Sequence, residues 1–528
     1  MSVGSDSNFW LNGILDEIET TYPNGEIVVS SGISPSASYH IGHFREILSA
    51  DIIKVGLELR GRSAKHIHVV DNFDPLRKRY DFLPEEYEKY VGWPVCLVPD
   101  PSGCHESYAD HFFEEFARWI PVLNIEAEVV KSYQDLYKTG RLADQIVATI
   151  EHVDEIKDIF KRVSNRDLPD DWVPLQILSD NKSFNEWRYT GVNTDDKTVG
   201  WVDADGNTGN VVYNDGRVKL NWRLDWPARW DELGVMVEPH GFQEHGASGG
   251  SYQTGVVFMK QIYDKQAPLA GMQYGHVHLA GDNVKMSASK GNLITPEQAF
   301  EIMPPEMLRY FYTRYPGKKR IDFDPGLGLF RMMDEFSTVD RLVRSGEGHQ
   351  FEQAYKIAVA GLESPGMSSI PFNHLVSMYQ SALGDEDEIF KLLGRTEYSK
   401  EASEQREAVS RQLVYVKNWL EKFAPEDLKF SIHETMPDVK ISRAQADMLI
   451  KLADIIEAED GERDGMFYHS AIHSVREEFD LDPKQAFEAV YRVLIGESSG
   501  PKAGWFLSIL DDKMLVSRFR DAGSVVDQ

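Results

Sequence analysis

The chain has 528 residues, 42% of them hydrophobic and 27% charged, with a net charge of −29. That is enough for roughly two to four domains, and it excludes a protein coated in basic surface, though not an acidic enzyme that confines Lys and Arg to one docking face. No apolar run approaches the ~18 residues of a membrane span, "MSVGSDSNFW" lacks a secretory signal's basic and apolar regions, and Cys96 and Cys104 provide no disulfide framework; a cytoplasmic protein with no membrane partner is expected.

Segment 26–30, "EIVVS", predicts a short buried strand, ended by the Gly/Ser/Pro turn "SGISPS" (31–36). From Ile41 the period changes. Ile41, Phe44, Ile47, Leu48, Ile52, Val55 and Leu59 fall at helical spacing, and Gly61 stands where a C-terminal cap belongs. "KHIHVV" (65–70) predicts a second strand. Strand, helix, strand with no hairpin turn is a βαβ unit, so a parallel sheet is expected. Residues 100–220 mix helical stretches with turn-rich "NTDDKT", "DADGNTGN" and "YNDGR", which predict hairpins. This region reads as an α+β insertion in an α/β domain. "HVHLA" (276–280) returns to the α/β pattern, and from about 295 onward apolar residues recur every three or four positions, which predicts helices.

Two short motifs carry chemistry. His40 and His43 stand at the strand-to-helix junction, where a first helical turn offers unpaired N–H groups to an anion. Two imidazoles there can hydrogen-bond phosphate oxygens, and Gly42 lets a flat ring approach the backbone. A pair of surface histidines is the plainer reading, and a metal pair without further ligands is weak. The second motif is "KMSASKGN" (285–292), between a predicted strand and a helix. Such a loop can bring an ammonium, from Lys285 or Lys290, onto a triphosphate as charge builds.

"HIGH" (40–43) followed by "KMSAS" (285–289) resembles the class I aminoacyl-tRNA synthetases. "SGISPS", "HIGHFRE" (40–46), "VVDNFDPLRK" (69–78), "GCHESYADHF" (103–112), "WRLDWPARW" (222–230) and "GASGGSYQTG" (246–255) resemble, more narrowly, the lysyl-tRNA synthetases of that class. The resemblance implies a Rossmann-type parallel-sheet catalytic domain in two halves (1–100 and 221–295), an inserted α+β subdomain on the acceptor-stem side (101–220), a stem-contact helical linker (296–350) and an all-α anticodon-binding domain (351–528). It implies ATP, Mg²⁺, L-lysine and tRNA(Lys) as cofactors and partners, with lysyl-adenylate as the intermediate, and a monomer is expected. His40, His43 and Lys285 become the catalytic candidates. Gly42, Gly249, Gly250, Ser287, Ser289 and Lys290 join them as ATP-binding candidates, and Gly32, Ser34, Trp222, His245 and Tyr274 become the amino-acid pocket.

Class I synthetases for glutamate and glutamine are the competing readings. They carry an Arg at the end of the first strand, where this chain has Ser30, so a carboxylate substrate would lack its bidentate partner. A lysine side chain needs acceptors for its ammonium and an apolar trough for its methylenes. Asp71, Asp74 and Glu244 are possible acceptors on charge grounds. A synthetase-like protein that has lost catalysis, or a nucleotidylyltransferase, are the other rivals.

Lys318, Lys319 and Arg320 in "YPGKKRIDF" form a local basic patch that reads as a solvated charge run or a tRNA-backbone contact. Lys502, Trp505 and Phe506 read as core packing or as a stacking site for unpaired bases. Ala37 replaces a glycine usual in the family, at some cost if the turn needs a positive φ. Residues 174–222 contain no Cys, and Cys96, Cys104 and His105 do not complete a four-ligand site, so no structural zinc and no metal ligands are expected.

Overall fold

The computed structural model describes residues 9–281, 286, 293–318, 320–363, 366–433, 435–461, 463–500 and 503–527, with the side chains of 244 and 427 excepted. The chain divides into two compact units. One runs up to Ala299 and takes in Leu308–Phe323 and Gln353–Leu362; the other comprises Phe300–Met307, Asp324–Glu352 and Glu363 onward. No helix among the described residues is long and apolar enough to cross a membrane.

Among the described residues, the strands all lie in the first unit. In chain order they are β1 (Ile27–Ile33), β2 (Ala64–Val70), β3 (Glu128–Lys131), β4 (Leu175–Ile177), β5 (Arg188–Asn193), β6 (Thr198–Val202), β7 (Thr208–Val212), β8 (Val218–Leu220), β9 (His240–Gly241), β10 (Gln273–Tyr274), β11 (Val277–Leu279) and β12 (Ile321–Phe323). β1, β2 and β3 pair in parallel in that order. On the other side of β1, Val29 bridges Val237, which bridges Leu269, both in parallel. Those two lines continue into β9 and β10, again parallel. The spatial order is therefore β3, β2, β1, then the β9 line, then the β10 line. The chain's direction of travel across the sheet reverses between β1 and β9, and a doubly wound sheet opens a crevice at the carboxyl ends of the strands flanking such a point.

The expected βαβ unit is present. Ile27, Val29 and Ile33 of β1 and Ile67, Val69 and Val70 of β2 are buried, as strands covered on both faces require. The intervening helix, Phe44–Leu59, buries nearly its whole length, and Gly61 follows with φ +81°. Asp51 on this helix meets Arg309 at 2.7 Å in a fully buried ion pair. Arg309 also donates to the carbonyls of Leu123, Ile357 and Ala358. One guanidinium thus ties the segments 308–323 and 353–362 to the helix Phe44–Leu59 and to Leu123. β12 pairs in parallel with β11, so the end of "YPGKKRIDF" is a strand of this unit and not a solvated run.

Between β3 and β9 lie two antiparallel pieces. β5, β6 and β7 form successive hairpins turning at 194–197 and 203–207, where "NTDDKT" and "DADGNTGN" predicted turns. "YNDGR" makes no hairpin: it feeds β8, which pairs with β4.

The described elements of the second unit are helices. Ser442 with Gln445 and Asp482 with Gln485 form capping boxes that start Arg443–Ala458 and Pro483–Ile495. Their apolar stripes (Leu449, Leu452, Val490, Leu494), with Trp419, are fully buried.

Candidate active site

The turn after β1 builds the first half of the site. His40 caps a short 3₁₀ turn, Ile41–His43, that leads into Phe44–Leu59. Its Nδ1 accepts from Gly42 N–H at 3.1 Å, and His43 Nδ1 accepts from His40 N–H at 3.1 Å. A ring whose Nδ1 accepts carries its proton on Nε2. Both neutral imidazoles are therefore oriented as Nε2 donors, with ring centroids 3.9 Å apart. A Cβ at position 42 would stand 2.8 Å from the His40 ring, so glycine is required there by His40 itself. Ala37 does not have a positive φ, and the turn accepts it without strain.

These groups line a cavity of about 1090 Å³ with Gly32, Ser34, Glu46, Tyr274, His276 and Met286 among its other walls. Met286 is buried, and its N–H points to the Val277 carbonyl at 3.4 Å. Lys285, Ser287, Ser289 and Lys290 lie outside the described residues. Arg45 is buried and donates to the carbonyls of Gly275 and Gly317 at 2.6 and 2.8 Å, which fixes the far wall.

A smaller cavity of about 120 Å³ adjoins it, and Gly32, Ile33, Ser34, Glu46 and His245 line both. Its own walls include Asp71, Trp222, Trp226, Arg229, Trp230, Glu238 and His240. The three tryptophans stand at i, i+4 and i+8 on the helix Trp222–Leu233, which ends at Gly234 with φ +63°. Trp222 stacks on His245 with centroids 5.2 Å apart and rings 23° from parallel. Gly250 cannot carry a Cβ because it would strike the His245 carbonyl oxygen, so this glycine holds the turn that presents His245.

Carboxylates lie behind the aromatic wall. Glu238 is buried and accepts from the indoles of Trp226 (2.8 Å) and Trp230. Burial pushes its carboxyl up, against those hydrogen bonds. Asp71 sits just past the end of β2, its N–H on the Ile33 carbonyl at 2.8 Å. Burial and the neighbouring Asp74 push it up to about 6, against Arg229 and Lys219. Burial lowers His240 to about 4, so its ring is neutral near pH 7.

The predicted residues divide accordingly. His40, Gly42, His43, Gly32, Ser34 and His245 converge, and Trp222 joins them in the smaller cavity. Tyr274 lines the larger cavity and not the smaller one, with the Arg45 guanidinium 5.7 Å from its ring. Gly249 and Gly250 line neither. Gly250 builds the turn that presents His245, and Gly249 has φ +72°. Asp74 lies behind Asp71 and pairs with Lys219 at 3.0 Å, while the Glu244 side chain lies outside the described residues. Trp226, Trp230, Arg229 and Glu238 were missed. The i, i+4, i+8 spacing of the tryptophans in "WRLDWPARW" was a usable signal, whereas nothing around Glu238 marked it.

Of the basic and aromatic candidates, Lys318 is exposed, Arg320 pairs with Asp322 at 2.6 Å, and Lys319 and Lys502 lie outside the described residues. Trp505 is half-buried and lines a cavity with His469, Phe487 and Tyr491 in the second unit. Phe506 is 2% exposed and packs on Phe430, so it offers no face to a base, which corrects the stacking expectation for that residue.

One candidate ligand group stands against the expectation of no metal ligands. One ligand atom each from Asp100, Cys104, His105 and His111 lie within 4.8 Å of one another. Asp100 organises the set by accepting the N–H groups of Ser102, Cys104 and His105 at 2.7–2.8 Å. Ser107 caps the helix Tyr108–Ala117, which brings His111 within 3.2 Å of Cys104 Sγ. A thiol, two imidazoles and a carboxylate are a four-ligand set suited to Zn²⁺. Reading Cys104 and His105 with Cys96 hid it. Cys96 is buried and not in the cluster, and Asp100 and His111 are the residues that would complete a ligand set with Cys104 and His105.

The profile of the family described as tRNA synthetases class I (K) matches residues 8–362. Lysine--tRNA ligase 1 of Methanosarcina acetivorans is 35% identical, over 98% of this chain and 98% of its own. Lysine--tRNA ligase of Archaeoglobus fulgidus is 34% identical over 94% and 96%. A solved glutamate tRNA ligase from Elizabethkingia meningosepticum aligns with 95% of this chain and 100% of its own at 12% identity and a TM-score of 0.42. By the extent of the profile and of the identity, the chain belongs to the class I (K) tRNA synthetases.

Proposed function

We propose that the chain attaches L-lysine to tRNA(Lys) at the expense of ATP, through lysyl-adenylate. The observation that carries this is the pair of joined cavities at the point where the sheet's winding reverses. One is edged by two oriented imidazoles, the other is an aromatic slot backed by carboxylates. Family membership points the same way.

ATP occupies the larger cavity, with its phosphates against His40 and His43. Lysine lies across Gly32 and Ser34, with its methylenes against Trp222 and His245. The lysine carboxylate attacks the α-phosphorus in line and pyrophosphate leaves. His40 and His43 donate from Nε2 to oxygens that gain charge, and Lys285, with Ser287, Ser289 and Lys290 around it, is assigned to the departing phosphates. Bound Mg²⁺ supplies further charge neutralisation on the triphosphate. Positioning and preorganised donors provide most of the rate, since phosphoryl transfer needs no protein nucleophile. The tRNA terminal ribose hydroxyl then attacks the lysyl carbonyl carbon of the adenylate, and AMP leaves as the acyl–phosphate bond breaks.

The finer layout is part of this reading: residues 101–220 as an acceptor-side insertion, 296–350 as a stem contact with Lys318, Lys319 and Arg320 toward tRNA, and 351–528 as an anticodon-binding domain with Lys502 and Trp505 toward tRNA. So are a monomeric state and a cytoplasmic location. A glutamate or glutamine substrate is disfavoured because Asp71 and Glu238 would oppose a carboxylate and Ser30 supplies no guanidinium. The test is ATP–pyrophosphate exchange with each of the twenty amino acids, with and without tRNA. Exchange with lysine alone is expected. Exchange with glutamate, or none with any amino acid in the presence of tRNA, overturns the reading.

A further inference from the structure

A buried network with a charge imbalance reaches the smaller cavity at Asp71 and Arg229. Asp71, Asp74 and Asp225 surround Lys219 and Arg229 in one network: Lys219 Nζ lies 3.0 Å from Asp74 and 3.3 Å from Asp225, and Arg229 Nη2 lies 3.3 Å from Asp225 and 3.4 Å from Asp71. Three carboxylates thus share two buried cations. Arg77 reaches Asp74 at 3.7 Å, but from solvent, with its side chain 74% exposed, so screening discounts it. The excess negative charge falls on Asp71. Asp225 has both cations and the Tyr137 hydroxyl. Asp71 Oδ2 has one guanidinium nitrogen, at a separation longer than the ~2.8 Å of a tight charge-assisted bond. Asp71 Oδ1 is buried and has no donor among the described residues. Arg229 Nε is likewise buried without an acceptor, so the pair is loosely matched.

Two further carboxylates line this cavity and are differently placed: Glu46, which accepts from the Gly32 N–H at 3.1 Å and also lines the larger cavity, and Glu238. Each oxygen of Glu238 already takes an indole N–H, and Ser30 bonds to it as well. A buried carboxylate with that many donors has little left to offer. Asp71 shares the cavity with Trp222, Trp226 and Trp230, the surfaces that suit an alkyl chain.

We propose that Asp71 Oδ1 is the acceptor for the ε-ammonium of the substrate lysine, which completes a buried network left one cation short. This rests on the lysine-ligating reading and adds the residue that enforces it. The network explains the direction of specificity. An isosteric side chain without the charge would leave Asp71 uncompensated, and a polar site deprived of its partner discriminates far more strongly than an apolar slot. It also explains the two cations. Lys219 and Arg229 keep Asp71 ionised, yet are too few to satisfy it. Burial lowers the tendency of Lys219 to hold its proton, but Asp225 and Asp74 more than reverse this, so it stays charged.

The test compares two nonreactive adenylate mimics, the lysyl and norleucyl sulfamoyl adenosines, by calorimetry on the full chain. The two differ by the terminal ammonium. The wild type should prefer the lysyl compound by about 100-fold or more. Asp71→Asn should reduce that preference to within about 5-fold, with norleucyl affinity changed by less than about 3-fold. Equal weakening of both compounds would assign Asp71 to packing alone, and unchanged preference would assign the ammonium elsewhere; either overturns the proposal. Glu238→Gln should leave the preference in place, and its collapse in that variant with Asp71→Asn unaffected would also overturn it. Should Asp71→Asn not fold, Asp71→Glu keeps the charge and shifts it. It must lower the lysyl preference, and an intact preference there defeats the proposal. A wild type that binds neither compound defeats the lysine reading as well, which separates the two failures.

Discussion

The two cavities share a wall but are built in opposite ways. The larger takes its chemistry from one contiguous turn, in which the backbone of His40 and Gly42 orients the rings of His43 and His40. The smaller is assembled from the ends of β1 and β2, the helix Trp222–Leu233 and the β9 line, with Asp71 and Glu238 separated by 167 positions in the chain (238 − 71). A local device survives changes elsewhere in the fold, and it can only do what a short turn can do, which is to bind an anion. A device assembled across the sheet can hold buried charges in register, and specificity requires that.

The comparison breaks first at the imidazoles. Replacing His40 and His43 together by Asn should lower the rate of adenylate formation by about 10²–10³-fold, with the affinity for lysine changed little. An equal loss of lysine affinity, read from exchange kinetics, would mean the cavities are not separable. Trp222→Ala should do the reverse: the KM for lysine rises by about 10–50-fold, while the KM for ATP stays within about 2-fold.

The cluster at Asp100, Cys104, His105 and His111 sharpens the point, because it too is nearly contiguous. Elemental analysis of the purified chain should find about one zinc per chain. Cys104→Ser should release it and lower Tm by about 4 °C, and a metal-free wild type with unchanged Tm would reject the site.

The smallest effect concerns pH. His66 and His68 are wholly buried, each within 2.8 Å of Ser31 Oγ, and burial lowers both, His68 to about 3. Burial lowers His240 to about 4. Each binds a proton in the unfolded chain near pH 6.5 that it refuses when folded. Stability therefore falls as pH drops below 6.5, by up to ~1.4 kcal/mol per pH unit for each histidine. Asp71, raised to about 6, takes up a proton when folded and acts the other way between pH 6 and 4. Asp51, Glu115 and Glu238, also pushed up by burial, act in the same sense as Asp71; the three histidines begin to lose stability already at pH 6.5, so the thermal midpoint should be lower at pH 5 than at pH 7. A higher midpoint at pH 5 would contradict their neutral burial.

Much of the first unit was legible. The change of period at Ile41 marked the βαβ unit, and the turn residues marked the two hairpins. β12 was hidden because three residues, Ile321–Phe323, are too short for a period and sit beside a run of cations. Asp100 and His111 were hidden because neither looks like a ligand until the loop folds around the Asp100 carboxylate.

By itself, then, the sequence determined what is local: a parallel βαβ start and a pair of histidines on the turn at its strand-to-helix junction. The tertiary structure decided which side chains share a cavity, that Glu238 is saturated by indoles while Asp71 is not, and that Phe506 is core. Periodicity and turn chemistry act over a few residues. Burial and charge balance are sums over neighbours that only the folded chain brings together.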